Sequence, residues 1–321
     1  MSEIAIDVQR VVKRYADHVA VRSLTLTVPR GTVYGLLGPN GAGKTTTIRM
    51  ILNIIAPDEG TIHMLGMPSS DPRLADRVGY LPEERGLYKK MKVRAVLQFL
   101  GELRGMTRKD ADRQIDYWLE RLSLRTAEKD WGQSKVDELS RGMQQKVQFI
   151  GTLLHDPELV ILDEPFSGLD PINAQALKDT VVELRKRGKT VIFSTHLMDN
   201  AERLCDSVCI IARGEKVLDG TVSSVKSAHG GTHVALGLNG DIRSGVTTVL
   251  SDTTHVTHVD EQNQFFELEL AAGASPQKLL ERLVAAGAPI TRFELVQPSL
   301  HQIFLQTVGA EGVEEGMSGQ G

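Results

Sequence analysis

The 321-residue sequence lacks the features of secreted, membrane-spanning and nucleic-acid-binding proteins. Its two cysteines, Cys205 and Cys209, are too few for a disulfide framework, which suits a reducing compartment. No apolar run approaches the ~18 residues of a membrane helix, and Met1–Arg10 has no signal-peptide pattern. The formal net charge is only -4, so we expect no general attraction to nucleic acid and no nucleic-acid partner.

The two cysteines are also weak candidates for a metal site. Cys205 falls in a predicted helix that runs from His196 past Leu204, and Cys209 falls in the apolar strand Val208–Ile211. Cysteines in such positions behave as small apolar side chains. We therefore predict two buried structural thiols.

The composition is that of an ordinary globular protein, with 41% apolar and 24% charged residues. The chain exceeds the length at which a single core usually stops growing, which favours two domains. From Ile4 to about Thr221 short β-rich runs alternate with helical stretches, and this pattern predicts an α/β fold with a largely parallel central sheet. Between residues 92 and 154 only helical spacing remains, which predicts an inserted helical subdomain.

A small-residue junction at Ala228–Gly231 predicts the end of the first domain, residues 1–228. A small α+β domain is predicted over residues 229–309, and the Gly- and Glu-rich segment 310–321 is predicted to be disordered. In this second domain a capping box opens the last helix, and Ser275-Pro276 caps an earlier one. The predicted elements are the strands His233–Leu238, Gln264–Leu270 and Ile290–Val296, and the last helix Leu300–Val308.

The strongest chemical signal is the run GPNGAGKT at residues 38–45, which matches the phosphate-binding P-loop pattern. It lies between the predicted strand Thr32–Leu37 and the predicted helix Lys44–Ile54. Glycines let the backbone close around phosphates, and the helix N-terminus attracts anions. An ordinary Gly-rich turn is disfavoured by the Lys-Thr pair in this context. The candidate nucleotide-binding residues are Gly38, Pro39, Asn40, Gly41, Ala42, Gly43, Lys44, Thr45 and Thr46.

Within this loop Lys44 and Thr45 have separate roles. Lys44 would reach the β- and γ-phosphates and act in catalysis, and Thr45 would ligate Mg²⁺. Two acids follow the apolar strand Leu159–Leu162. Asp163 is placed to hold Mg²⁺, and Glu164 is suited to act as general base on the attacking water. Paired acids after a strand also occur in ordinary turns, but together with a P-loop they indicate phosphoryl transfer.

Three further motifs distinguish among P-loop families. The run LSRGMQQ at Leu139–Gln145 resembles the signature motif of ABC transporter ATPases, Ser167–Asp170 resembles the D-loop of that family, and His196 follows a strand at Thr190–Ser194 as its switch histidine does. The order and spacing of these motifs favour the resemblance over an ordinary N-cap and an inert histidine. The chain therefore resembles ABC transporter ATPases over Ile4 to about Thr221.

The resemblance implies ATP and Mg²⁺ as cofactors and a homodimer in which each site is shared. Ser140, Gly142 and Met143 would face the γ-phosphate held by the opposite subunit. His196 would contact the γ-phosphate or the attacking water. Tyr15 would stack on adenine, although taken alone it would be interpreted as a surface or packing tyrosine.

Two departures from the family pattern help to define the subgroup. Glu83 stands where the family often has Gln, and we assign it to sensing Mg²⁺ or water. In the signature, Arg141 and Met143 replace the commoner Gly and Gln. The run Gly79–Tyr88, with the ending Phe293–Phe304, resembles ATPases of ABC-2-type exporters, which include sodium-efflux and drug-export ATPases. This implies an ABC-2-type membrane permease as partner, and a cytoplasmic position on the inner face of the membrane.

Several alternatives stay open at this point. A soluble ABC ATPase of translation or DNA repair is disfavoured by the single P-loop and by the lack of a coiled-coil or metal-cluster insertion. The C-terminal domain is either a dimer support or a regulatory ligand binder. The basic cluster at residues 89–94 is either a solvated face or a permease contact. His255 and His258, three apart in a predicted strand, fall on opposite faces and are predicted to be surface histidines.

Overall fold

The computed structural model describes residues 3–16, 18–84, 86–229, 233–239, 244–261, 265–271 and 273–308. These ranges hold fourteen strands and ten α-helices. The strands are β1 Ile4–Tyr15, β2 His18–Pro29, β3 Val33–Leu37, β4 Glu59–Met64, β5 Met67–Pro68, β6 Val78–Leu81, β7 Leu159–Leu162, β8 Thr190–Thr195, β9 Ser207–Ala212, β10 Glu215–Thr221, β11 His233–Leu238, β12 Val256–Glu261, β13 Phe266–Leu270 and β14 Ile290–Val296. The helices are α1 Lys44–Ile51, α2 Val93–Leu103, α3 Arg108–Arg121, α4 Arg141–Leu153, α5 Pro171–Lys186, α6 Met198–Leu204, α7 Val222–Ala228, α8 Ser244–Leu250, α9 Pro276–Ala285 and α10 Leu300–Val308.

The central sheet has six strands in the order β10-β9-β3-β8-β7-β6. All its pairs are parallel except β9 with β10. Strands β3, β7 and β8 are buried along their whole length, which explains why they read as nearly continuous apolar runs. Leu37 pairs with Thr195, and Leu162 pairs with both Phe193 and Leu81. The loops after these strands therefore leave the sheet at one common edge, and the predicted α/β fold is confirmed.

An antiparallel sheet in the order β2-β1-β4-β5 completes this part of the chain. Helix α1 contributes Ile48 and Ile51 to a buried cluster that includes Val8 and Leu26 of the antiparallel sheet and Leu36 of the central sheet. The P-loop helix is thus held by apolar packing against both sheets, which fixes the direction of its N-terminus.

Residues 86–158 add helices and no strand, as the spacing of apolar residues predicts. Helix α2 buries Val93, Val96 and Leu97, and helix α3 buries an equivalent stripe that includes Trp118 and Leu119. Each stripe follows the helical period of a single apolar face. The predicted helical subdomain, residues 92–154, contains α2, α3 and α4.

Residues 222–307 form a second compact unit. Its sheet has the order β12-β13-β11-β14 with antiparallel pairs throughout, so this part is α+β as predicted. The predicted capping box is present, because Ser299 N–H donates to Gln302 Oε1 at 2.7 Å and Gln302 N–H donates to Ser299 Oγ at 3.2 Å. The predicted boundary at residue 228 differs from this division, which groups α7 with the C-terminal unit. The predicted tail 310–321 lies outside the described residues.

Three local predictions need correction. The P-loop helix was predicted to reach Ile54 but ends at Ile51, because Asn53 adopts a left-handed φ of 53° that stops the helix. Cys205 follows α6 as its C-cap instead of lying within the helix. His255 precedes β12 and pairs with Asp252 at 3.3 Å, so only His258 lies in a strand.

The prediction of two buried thiols is confirmed for Cys209, whereas Cys205 is partly buried. Cys209 is buried in β9, and this burial raises its pKa to about 12. Burial also raises the pKa of Cys205. Across the ranges that the structure describes, no three His, Cys, Asp or Glu side chains are grouped closely enough to hold a metal ion by themselves.

The packing of β6 against α4 leads to a stability prediction. A Cβ at Gly79 would lie 2.4 Å from the carbonyl oxygen of Thr152, whereas a Cβ at Gly86 would meet no atom within 4 Å. Because the strand and helix must separate to admit the methyl group, Gly79→Ala should lower the free energy of unfolding by about 1–3 kcal/mol. Gly86→Ala should change it by less than about 0.5 kcal/mol.

Urea unfolding followed by tryptophan fluorescence measures this difference in the N-terminal part, since both tryptophans, Trp118 and Trp131, lie there. Equal unfolding midpoints for the two variants would contradict the close packing of β6 on α4.

Candidate functional site

The P-loop leaves β3 after Leu37 and enters α1 at Lys44. A Cβ at Gly38 would lie 2.1 Å from the carbonyl oxygen of Ile211, and one at Gly43 would lie 2.5 Å from the carbonyl oxygen of Ala20. Gly43 also has a φ of 105°, which side chains rarely permit. Both positions therefore require glycine, and the loop is held tightly against β9 and β2.

Lys44 lies inside this loop with only 6% of its side chain exposed. Its Nζ donates to the carbonyl oxygens of Gly38 at 2.8 Å and Pro39 at 3.0 Å, and it lies 3.5 Å from Glu164 Oε1. Burial lowers the pKa of Lys44, while the carboxylate of Glu164 acts in the opposite direction. The amine is thus held at the centre of the loop by oxygen acceptors of the kind that phosphate oxygens would replace.

Asp163 follows β7 and is buried beside Thr45. Its Oδ1 accepts a hydrogen bond from Ser194 Oγ at 2.5 Å and another from Thr45 Oγ1 at 3.3 Å. Its Oδ2 is buried and has no hydrogen-bond partner. Burial raises the pKa of Asp163, and the two hydroxyl groups act in the opposite direction. One carboxylate oxygen is therefore anchored by hydroxyl groups while the other is left without a donor.

Glu164 has a left-handed φ of 46°, which costs a residue other than glycine of order 1–2 kcal/mol. Its backbone N–H donates to Ser194 Oγ at 2.9 Å. Its side chain hydrogen-bonds through Oε1 with His196 Nδ1 at 3.0 Å. This unusual backbone conformation places the carboxylate between Lys44 and His196, where it is 7% exposed.

Lys44, Thr45 and Glu164 border a cavity of about 470 Å³, whereas Asp163 and His196 are not among its lining residues. Tyr15, 46% exposed, lies on its rim with His18, and Glu83 enters it from the loop after β6. Burial raises the pKa of Glu83, and the nearby carboxylates of Asp163 and Glu164 add to this effect. The lining residues are Tyr15, His18, Ala20, Asn40, Gly41, Ala42, Gly43, Lys44, Thr45, Thr46, Glu83 and Glu164.

The signature residues lie apart from this cavity. Ser140 caps α4 by accepting the N–H of Met143 at 3.3 Å. Gly142 packs so closely on α5 that a Cβ would lie 2.6 Å from Asn173 Nδ2. Among the residues that line the cavity, none of Ser140, Gly142 and Met143 is present. Hydrogen bonds and one ion pair join the P-loop, the two acids and His196 within one chain. The contacts of Ser140 and Gly142 are instead with Met143 and Asn173.

Two residues near the chemistry were not found by sequence reasoning. His18, the first residue of β2, pairs with Tyr15 of β1 and therefore lines the same cavity. Ser194, fully buried in β8, contacts both acids through one hydroxyl. No local motif identifies it, since its partners lie 30 and 31 positions away along the chain.

The oxygen atoms of Thr45 and Asp163 fit a hard divalent cation whose coordination shell phosphate oxygens would complete. Such a cation prefers carboxylate and hydroxyl oxygens, and Asp163 Oδ2 is a buried carboxylate oxygen without a partner. Thr45 lies on the same carboxylate. Two side chains cannot fill an octahedral shell, so such a cation would need further oxygen ligands.

Comparison with known sequences places these features in one family. Residues 21–167 match the family described as ABC transporter. Residues 220–308 match the C-terminal domain of DrrA1-3-like ATP-binding proteins. The chain is 42% identical over 303 residues to YhaQ, an uncharacterized ABC transporter ATP-binding protein of Bacillus subtilis (strain 168), covering 94% of this chain and 98% of YhaQ. It is 34% identical over 313 residues to the Nod factor export ATP-binding protein I of Burkholderia orbicola (strain AU 1054), covering 97% and 99%.

A solved ATP-binding subunit of an ABC transporter superposes with a TM-score of 0.63 at 30% identity, covering 70% of this chain and 92% of that structure. The P-loop, the strand-end acids and the matches over both parts of the sequence agree. The chain belongs to the ATP-binding proteins of ABC transporters, the ATPases of that family, and carries a DrrA1-3-like C-terminal domain.

Proposed function

We propose that this chain hydrolyses ATP to power an ABC-2-type exporter of ions, drugs or other small molecules. The convergence of Lys44, Asp163, Glu164 and His196 at one edge of the parallel sheet supports the catalytic half of the proposal. The near full-length similarity to Nod factor export ATP-binding proteins supports the export half, because it includes the C-terminal domain.

Each residue of the site would have a distinct role in the reaction. Lys44 would exchange its carbonyl acceptors for β- and γ-phosphate oxygens, since it is already directed into the loop. Glu164, held beside His196, is placed to accept the proton of the attacking water. His196 would orient that water or donate to the γ-phosphate. Tyr15, on the rim, offers an aromatic face for adenine.

Mg²⁺ would be held by Thr45 and Asp163, with Glu83 contributing directly or through water. When bound, this cation neutralises charge on the phosphates during transfer. Asp163 Oδ1 accepts a hydrogen bond from Ser194, whereas Oδ2 has no donor and could bind the cation.

We propose a head-to-tail homodimer in which the signature of one chain completes the site of the other. The separation of Ser140, Gly142 and Met143 from the cavity of their own chain supports this arrangement. Ser140 caps α4, a 13-residue helix whose N-terminus would attract a γ-phosphate. ATP would then join two chains.

We also propose attachment to an ABC-2-type permease at the inner face of the membrane. Within the described ranges no helix is long and apolar enough to cross a bilayer. The loop that carries Glu83 joins the site to the helical segment that begins with α2, so it can transmit closure of the dimer to a membrane partner. The permease would determine the cargo.

The catalytic proposal predicts the outcome of Glu164→Gln. Loss of the general base should reduce ATP turnover about 100-fold or more, while nucleotide affinity should stay equal or rise because a negative charge beside Lys44 is removed. Phosphate release and fluorescent-ATP titration measure the two effects. Glu102→Gln, the same chemical change at an exposed position on α2, should alter neither. Normal turnover by Glu164→Gln would refute the assignment.

The dimer proposal predicts complementation between two inactive variants. Lys44→Ala destroys the P-loop half of a site, and Ser140→Arg blocks the signature half at an exposed cap. Each variant alone should be inactive. An equimolar mixture should recover about a quarter of wild-type turnover, because half of its dimers contain one intact shared site out of two. No recovery in a mixture shown to contain mixed dimers would place both halves in one chain.

A further inference from the structure

We propose that Ser194 is the positioning residue of the site, a single hydroxyl that sets both the cation-binding face of Asp163 and the backbone of Glu164. The inference rests on the roles proposed above for those two acids. Ser194 belongs to none of the family motifs identified in the sequence. Its role follows from the register of β7 against β8.

The hydroxyl group of Ser194 makes one contact as donor and one as acceptor. It donates to Asp163 Oδ1 at 2.5 Å, the length of a charge-assisted O–H···O⁻ bond. It accepts the N–H of Glu164 at 2.9 Å. A serine hydroxyl has one hydrogen to donate, so its donor capacity is committed to Asp163. The side chain is fully buried, which excludes water as a ready substitute.

The contact with Asp163 determines which carboxylate oxygen remains free. Ser194 and Thr45 both donate to Oδ1, and Oδ2 is buried without a partner. If Ser194 were removed, the carboxylate could rotate, and Thr45 alone would hold it at 3.3 Å.

The contact with Glu164 supports an unfavourable backbone conformation. A φ of 46° is uncommon for a glutamate and persists where the surroundings over-determine it. The bond from Glu164 N–H to Ser194 Oγ is a buried interaction formed by that conformation. One side chain therefore couples the cation ligand to the general base, and the loss of its hydroxyl should affect both together.

Ser194→Ala tests this coupling in the full-length chain. The half-saturating Mg²⁺ concentration for hydrolysis should rise roughly 10- to 100-fold, as for outer-shell partners of metal ligands, and kcat should fall by a similar factor. Affinity for a fluorescent ATP analogue in EDTA should stay within about twofold, because the P-loop is untouched, whereas the gain in affinity on adding Mg²⁺ should shrink. Ser194→Thr, which keeps the hydroxyl, should restore most of the Mg²⁺ response.

The matched control is Thr190→Ala. Thr190 is buried on the same strand, and its hydroxyl accepts the N–H of Gly31 at 2.9 Å at the end of β8 away from the site. This variant should lose stability but keep the wild-type Mg²⁺ response. If Ser194→Ala does not fold, Ser194→Cys replaces the hydroxyl with a larger and weaker hydrogen-bonding group and should shift the Mg²⁺ response in the same direction.

Two results would overturn the inference. One is a Ser194→Ala chain with the Mg²⁺ response of Thr190→Ala. The other is equal weakening of nucleotide binding with and without Mg²⁺, which would indicate general damage. The variant Asp163→Asn distinguishes a failure of this inference from a failure of the proposed function. If Asp163→Asn leaves the Mg²⁺ response unchanged, the assignment of Asp163 itself is wrong. If Asp163→Asn removes the response and Ser194→Ala does not, only the role of Ser194 fails.

Discussion

The parallel pairing of β3, β7 and β8 is the constraint on which the site depends. Parallel strands end at a common edge, so the register that pairs Leu37 with Thr195 and Leu162 with Phe193 brings three distant loops together. Lys44, Asp163 and His196 follow those ends directly or within one short loop. Backbone hydrogen bonds and the burial of apolar side chains bring these three residues close together. The contacts between their polar side chains depend on that proximity.

Burial of this charge is the second determinant. Lys44, Asp163 and Glu164 are each less than 9% exposed, and buried charges need close partners. Lys44 Nζ lies 3.5 Å from Glu164 Oε1, so these two charges are partners. Asp163 keeps one oxygen without a partner, and its pKa is raised by burial. The proposed Mg²⁺ would provide a partner for this oxygen.

Sequence reasoning predicted what depends on local pattern. The P-loop, the apolar strand before Asp163 and the capping box at Ser299 each have their cause within a few residues. It did not find Ser194, whose role depends on strand register between segments 31 positions apart. It also extended the P-loop helix past Ile51, because nothing in the apolar spacing shows that Asn53 turns left-handed. The nucleotide-facing role of Ser140 came from family resemblance, since α4 alone gives only an N-cap.

The central claim is that two chains share each ATP and that Asp163 and Thr45 hold its cation. A crystal structure of the Glu164→Gln chain with ATP and Mn²⁺ tests both points, because the anomalous signal of Mn²⁺ locates the cation. We predict ATP between the P-loop of one chain and Ser140–Met143 of another, with Mn²⁺ on Asp163 and Thr45. ATP enclosed by a single chain, or a cation bound away from Asp163, would contradict the account.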